Sequence, residues 1–158
     1  EEDGDRIWCI FDVDINHNNN NDVIQNKISE ITKAQTLAHK NRIKLGISNP
    51  CFELWYLLHF KYTTACLKDY SSVKDILQKE TPLKNYTKNK DVYDLLKNEI
   101  PNAIKNGIKL REYHERDGKV LSNIALTKQN IKDIVESNPY TNIMDLVQYI
   151  ETLNHRKF

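Results

Sequence analysis

Apolar and polar residues follow two different spacings along the first fifty residues of the chain. Residues 7–13 read IWCIFDV, a short apolar run rich in strand-forming side chains, and predict a buried strand. Residues 42–48, RIKLGIS, predict a second strand. Between them, from 22 to 40, apolar side chains recur at helical spacing. A strand, a helix and a strand with short connections predict a βαβ unit with parallel strands.

A third apolar stretch, SNPCFELWYLLHF at 48–60, predicts a helix that is buried on most of its faces. Asn49 is a good N-cap residue and Pro50 suits the first helical position, so we expect this helix to begin there. After Lys61 the chain becomes rich in lysine and asparagine. Helical spacing continues in four further segments, which are 71–80, 91–115, 122–137 and 141–153.

Together these elements predict a single α/β domain over residues 1–158. A small parallel sheet flanked by helices is expected over 1–60, followed by a helical part over 61–158. The length of 158 residues is sufficient for one substantial core. The formal net charge of +1 gives no overall basic signature, so nucleic acid would have to bind through a local patch or a metal ion. No apolar run approaches the roughly 20 residues that span a bilayer.

The three cysteines, Cys9, Cys51 and Cys66, are irregularly spaced and lie in apolar surroundings. This pattern predicts reduced thiols rather than a zinc site or a disulfide framework. No signal peptide is recognisable in the opening residues EEDGD. These features predict a cytoplasmic protein.

Two carboxylates, Asp12 and Asp14, stand at the end of the first predicted strand. Side chains two residues apart project from the same face of a strand, so the carboxylates repel unless a cation or a basic side chain lies between them. Open α/β folds bind ligands at the carboxyl ends of their strands, and hard oxygen ligands suit Mg²⁺ or Mn²⁺. The pair therefore predicts a divalent metal site. The alternative is that one carboxylate caps the next turn and the other is solvated.

A third carboxylate, Glu53, lies in the most apolar stretch of the chain. Burying it is costly unless it is paired, protonated or bound to a metal ion, which makes it a candidate metal ligand. The alternative is a glutamate that interacts favourably with the positive end of the helix dipole. His59, six residues further on, is expected to be a core histidine with a backbone partner.

Two polar segments are candidate substrate contacts. His17 follows the acidic pair in an asparagine-rich loop, although a histidine in a loop is usually solvated. The second segment interleaves three lysines with two tyrosines, Lys84, Lys88, Lys90, Tyr86 and Tyr93. It could bind phosphates and stack on bases, or it could be a solvated start of a helix.

Several motifs resemble the RloB family, toprim-like proteins of bacterial defence loci linked to restriction systems. The first are WCIFDVD at 8–14 and ISNPCFELWYLLHF at 47–60, of which SNPCFELW is the most specific element. NYTK at 85–88 and NPYTNIMDLVQYI at 138–150 are similar to downstream motifs of that family, in the same order. The resemblance covers nearly the whole chain.

The resemblance implies a toprim-like fold and Mg²⁺-dependent (or Mn²⁺-dependent) phosphodiester cleavage of DNA or RNA, in anti-phage defence by abortive infection. Asp12 and Asp14 match the DxD motif that holds Mg²⁺ in toprim enzymes. From charge and position we expect Glu53 to act as a further ligand or base and Lys88 to contact the scissile phosphate. The expected catalytic set is Asp12, Asp14, Glu53 and Lys88, and the expected substrate contacts are His17, Asn49, Tyr86 and Lys88.

The chain departs from the family pattern at its start. Family members usually begin with a strand that ends in a glutamate-glycine motif, ahead of the DxD strand. Only six residues precede that strand here, so we expect either an N-terminally truncated chain or one that lacks the toprim glutamate.

This departure favours a second hypothesis, a non-catalytic module that binds nucleic acid or phosphate and is regulated by a partner such as an ATPase from the same locus. A third possibility is phosphotransfer or phosphate hydrolysis on a small nucleotide. No glycine-rich phosphate loop supports that third possibility.

Overall fold

The computed structural model describes residues 6–15, 20–121 and 128–155. The first half contains β1 (Ile7–Asp12), α1 (Asn21–Lys40), β2 (Ile43–Asn49), α2 (Glu53–Phe60) and α3 (Tyr70–Glu80). The second half contains α4 (Tyr93–Leu96), a 3₁₀ turn (Lys97–Glu99), α5 (Ile100–Arg116), α6 (Lys128–Glu136), β3 (Tyr140–Thr141) and α7 (Ile143–His155). A small sheet flanked by helices, followed by a helix-rich half, confirms the predicted α/β class.

The described sheet has three strands in the order β1–β2–β3. β1 and β2 are parallel, with Ile7 opposite Ile43 and Asp12 opposite Ser48, so the predicted βαβ unit is confirmed. The sheet is mixed, in contrast to the parallel sheet expected from the sequence, because β3 pairs with β2 in the antiparallel direction. β3 also occupies the start of the helix predicted over 141–153, and α7 begins only at Ile143.

Asn142 explains why a strand replaces the beginning of that helix. Its side-chain oxygen accepts a hydrogen bond from the N–H of Ile47 at 2.6 Å, and its amide donates to the carbonyl of Leu45 at 3.0 Å. Its backbone N–H donates to the carbonyl of Ile47 at 3.2 Å. These bonds extend the pairing of β3 with β2, so tertiary contacts override the local helical pattern.

The prediction of a buried first strand is wrong. Within the described sheet β1 is an edge strand, since it has β2 as its neighbour on one side. Ile7 is 59% exposed and Ile10 is 45% exposed. Phe11 is partly buried and packs against the core formed by α1, β2 and α6. The apolar composition of the strand therefore does not mean that both of its faces are covered by the described residues.

The predicted start of α2 is also wrong. Asn49 is the last residue of β2, the Asn49–Pro50 peptide bond is cis, and the helix begins at Glu53. The amide of Asn49 donates instead to three carbonyls at the end of α6, those of Ile134, Val135 and Ser137, at 3.4, 3.0 and 2.6 Å. Carbonyls at a helix end lack partners within the helix, so this amide satisfies them and joins the sheet to α6.

Two apolar clusters form the core. One contains the buried face of α2 together with side chains of α3, α5 and α7. The other lies between the sheet, α1 and α6. The cysteines Cys9, Cys51 and Cys66 are free thiols, as predicted. Within the described ranges, no helix combines the length and apolar character needed to cross a membrane.

Two histidines in the core are hydrogen bonded to backbone carbonyls. The Nδ1 of His59 lies 2.8 Å from the carbonyl of Trp55, which confirms the predicted core histidine. The Nε2 of His114 lies 2.8 Å from the carbonyl of Pro139. Burial lowers the pKa of each imidazole below its usual value, so the folded state favours the neutral form of both rings.

We expect the free energy of unfolding to fall, by on the order of 1 kcal/mol, as the pH is lowered through the ordinary histidine pKa of about 6.5. The unfolded chain then binds protons that the folded chain excludes. Urea unfolding between about pH 7.5 and pH 5 measures this dependence. His59→Gln combined with His114→Gln should flatten it, whereas His39→Gln, at an exposed position on α1, should not. An unchanged dependence in the double variant would contradict this explanation.

Candidate acidic site at the end of the first strand

The path of the chain after β1 brings Asp12 next to the start of α2. The N–H of Val13 donates to the carbonyl of Ser48 at 2.8 Å, and the N–H of Asp14 donates to the carbonyl of Pro50 at 3.2 Å. The chain beyond β1 therefore continues beside the segment that leads from β2 into α2. The backbone N–H of Phe52 donates a hydrogen bond to the carboxylate of Asp12.

The pKa of the Asp12 carboxyl is raised above its usual value. Burial is the main cause, and the negative charge of Glu53 is the second. The hydrogen bond from Phe52 and the positive charge of Lys88 act in the opposite direction, while Asp14 adds a smaller raising effect. Asp12 thus lies in the electrostatic field of two other carboxylates and one ammonium group, and its ionised form is disfavoured.

Asp14 is not part of β1, so the argument that alternating strand side chains place Asp12 and Asp14 on one face does not hold. β1 ends at Asp12, and Asp14 has a φ of 52°, in the left-handed region that non-glycine residues seldom adopt. Its side chain is exposed. The two aspartates still interact through their charges, because the chain turns just beyond the strand. The alternation of side chains along a strand does not explain this interaction.

Glu53 is the first residue of α2 and is only 5% exposed. The hydroxyl of Tyr86 donates a hydrogen bond to its Oε1 at 3.0 Å. Burial, and to a smaller extent the charge of Glu53, raises the pKa of both Cys51 and Tyr56. Burial also raises the pKa of Tyr86, with the hydrogen bond to Glu53 as the second cause. The carboxylate of Glu53 is therefore buried near Asp12, and the thiol and phenol groups around it are uncharged.

In the basic and aromatic segment, Tyr86 is buried and Lys88 is exposed. Tyr86 is 3% exposed and its ring packs edge-to-face on Tyr56, with centroids 5.8 Å apart. Lys88 is exposed and its ammonium lies 4.5 Å from the centroid of the Tyr70 ring. Lys88 thus remains available to an anion near Asp12, whereas the ring of Tyr86 belongs to the core and is not displayed for stacking on a base.

The remaining predicted substrate contacts are Asn49 and His17, and Asn49 is used within the protein. Asn49 is 1% exposed, and its amide is used by the carbonyls at the end of α6. His17 lies outside the described residues. Four of the predicted site residues interact through their charges, and these are Asp12, Asp14, Glu53 and Lys88. A fifth, Tyr86, donates a hydrogen bond to Glu53.

The carboxylates around Asp12 form a small set of possible ligands for a divalent cation. Among the residues that the structure describes, no three histidine, cysteine, aspartate or glutamate side chains form a group that could hold a metal ion. Mg²⁺ is commonly bound by one or two carboxylates and completes its coordination with water and substrate phosphate. The mutual repulsion of Asp12 and Glu53 is relieved by a cation, so the carboxylates fit Mg²⁺ or Mn²⁺ with such an incomplete protein ligand set.

Sequence reasoning missed two features of the site. The first is the bond between Tyr86 and Glu53, although the need of a buried carboxylate for a donor was a usable signal. The second is a largely apolar cavity of about 390 Å³ that Asp12 also lines, between β1, α1 and β2. No spacing in the sequence indicated this cavity, because side chains of three different elements enclose it.

Comparison with known proteins agrees with the motifs. A family model described as RloB-like protein matches residues 1–150. That range contains β1, the start of α2, the segment with Tyr86 and Lys88, and β3. No curated protein and no solved structure matches the chain. Since the family model covers all but the last eight of the 158 residues, the chain belongs to the RloB-like family.

Proposed function

We propose that this protein is a metal-dependent nuclease that hydrolyses phosphodiester bonds in DNA or RNA, and that it acts in the bacterial cytoplasm in defence against phage. The observation that carries the proposal is the placement of Asp12 beside the buried Glu53, with the exposed Lys88 in electrostatic reach of the same carboxylate. A cation held by carboxylates and an ammonium paired with the phosphate are two groups that stabilise the charge developing in phosphodiester cleavage.

Each side chain then has a distinct role. Asp12 and Asp14 would hold Mg²⁺ or Mn²⁺, and Glu53 would be a further ligand or would accept a proton from the attacking water. When bound, the cation polarises the phosphate and lowers the pKa of a water molecule. The ammonium of Lys88 pairs with the negative charge of the scissile phosphate, and its exposure leaves it accessible to a nucleic-acid backbone.

A purely structural role explains this arrangement less well. Burial and Glu53 both disfavour the ionised form of Asp12, so the pair destabilises the empty site. Asp12 could be an uncharged residue if its only function were to accept the hydrogen bond from Phe52. The retained charge is consistent with binding a cation.

The proposal is tested by metal binding and cleavage together. Calorimetry with Mn²⁺ and cleavage assays on single- and double-stranded DNA and RNA would use wild type, Glu53→Gln and Glu80→Gln. Glu53→Gln is expected to lower both metal affinity and cleavage rate, the latter by about 10²- to 10⁴-fold. Glu80 is an exposed residue paired with Lys61, so its variant is the matched control and should resemble wild type. Cleavage that survives in Glu53→Gln would contradict the proposal.

A second candidate is a partner-regulated module that binds nucleic acid or phosphate without cleaving it. It is favoured by the exposed ammonium of Lys88, which can pair with a phosphate whether or not a bond is cleaved. A regulatory ATPase of the same locus is the partner that this candidate requires. Salt-dependent binding of nucleic acid, without cleavage at any Mg²⁺ or Mn²⁺ concentration, would favour it over the nuclease.

A further inference from the structure

A tyrosine far along the chain supplies a hydrogen bond to the buried carboxylate of the candidate site. The hydroxyl of Tyr86 lies 3.0 Å from the Oε1 of Glu53, and the two residues are 33 positions apart in the sequence. Both side chains are buried. We propose that Tyr86 is a positioning residue, which acts through Glu53 by fixing the orientation of its carboxylate beside Asp12. This inference deepens the proposed function and rests on it for the role of Glu53.

The loop that carries Tyr86, residues 81–92 between α3 and α4, is held in place by its own contacts. The side-chain amide of Gln78 donates to the carbonyl of Tyr86 at 3.0 Å, and the N–H of Tyr86 donates to the carbonyl of Leu83 at 3.1 Å. Leu83 and Val92 are buried in the same apolar cluster as Tyr86. The backbone at Tyr86 is thus anchored on both sides, so its hydroxyl has a defined position.

The same loop brings a positive charge toward the site. Lys88 follows Tyr86 by two residues and its ammonium lies over the ring of Tyr70, while its charge acts on Asp12. One loop therefore presents a donor to Glu53 from the buried side and an ammonium to Asp12 from the exposed side. A tyrosine whose only task was to fill the core would not need its hydroxyl at this point.

The chemistry of the Tyr86 hydroxyl also suits a positioning role. A phenol donates one hydrogen bond and remains uncharged, so it orients a carboxylate without neutralising it. A lysine or arginine in the same place would compete with a cation for Glu53. Partners of this kind behind metal ligands typically change metal affinity by about 10- to 100-fold when they are removed.

The first arm of the test needs no metal ion. Carboxyl ¹³C NMR of protein labelled at glutamate would identify the Glu53 resonance as the signal absent from Glu53→Gln. Tyr86→Phe retains the ring and removes only the hydroxyl, and it should move this resonance toward those of exposed glutamates. Tyr56→Phe is the matched control, because Tyr56 is in ring contact with Tyr86. An unmoved Glu53 resonance in Tyr86→Phe would overturn the inference.

The second arm separates positioning from a merely structural bond. Calorimetry with Mn²⁺ should show about 10-fold weaker binding for Tyr86→Phe than for wild type, and no further weakening when Tyr86→Phe is added to Glu53→Gln. Wild-type affinity in Tyr86→Phe would overturn the positioning role and leave the proposed function standing. If wild type binds no Mn²⁺, the proposed metal site fails, while a moved Glu53 resonance would still support orientation of Glu53 by Tyr86.

Discussion

Asp12→Asn is expected to lower the rate of metal-dependent cleavage by about 10³-fold and to leave the folded state as stable as wild type or more stable. Asparagine has nearly the same shape as aspartate and keeps an oxygen that can accept the hydrogen bond from Phe52. It removes the negative charge, which is the property that a divalent cation requires of this side chain.

The expected gain in stability follows from the sign of the pKa shift. Burial and the charge of Glu53 raise the pKa of Asp12, so the ionised carboxylate is less favourable in the folded chain than in the unfolded chain. At neutral pH the unfolded state is therefore favoured by this group, and asparagine removes that contribution. The gain should be on the order of 1 kcal/mol.

Urea unfolding at neutral pH and cleavage assays under identical conditions measure the two effects. Asp75→Asn is the matched control, because Asp75 is an exposed aspartate in a surface pair with Lys79 and should change neither quantity appreciably. An Asp12→Asn variant that unfolds much more easily yet cleaves normally would show that Asp12 has a structural role and would contradict its assignment as a metal ligand.

The parts of the fold that could be predicted from the sequence are those that depend on local spacing. The helix Asn21–Lys40 begins after Asn20, whose side chain accepts a hydrogen bond from the N–H of Val23 at 3.0 Å. β1 and β2 were recognisable because each is a short apolar run with polar residues on both sides. Their parallel pairing follows from the helix that connects them.

The parts that could not be predicted depend on contacts between distant segments. Asn49 looked like a helix cap, but its amide binds carbonyls 85 to 88 residues later. β3 has only two residues, and Asn142 extends its pairing with β2 through a side-chain hydrogen bond. At the candidate site, Asp12 and Glu53 could be identified as unusual carboxylates, whereas the donor to Glu53 could not, because no local pattern links it to Tyr86.

Asn142→Ala is expected to produce the largest loss of stability among the substitutions considered, about 3 kcal/mol. Asn142 is buried, and its side chain satisfies the N–H of Ile47 and the carbonyl of Leu45 on the central strand. Alanine would leave both backbone groups buried without these partners, and each such group costs about 1 to 3 kcal/mol. The side-chain bonds hold the start of α7 against the sheet, together with the backbone bond from the N–H of Asn142 to the carbonyl of Ile47.

Urea unfolding and amide hydrogen exchange measure this effect. The control Asn102→Ala, at an exposed position on α5, should change the free energy of unfolding by less than about 0.5 kcal/mol. Exchange should accelerate at Ile47 and at its neighbour Ser48, which is opposite both Asp12 and Thr141 in the sheet. Ser48 pairs with Asp12 at the end of β1. Faster exchange at Ser48 would therefore show that the loss of the Asn142 bonds affects the strand next to the candidate site. Unchanged stability in Asn142→Ala would mean that water satisfies these groups and that β3 does not depend on Asn142.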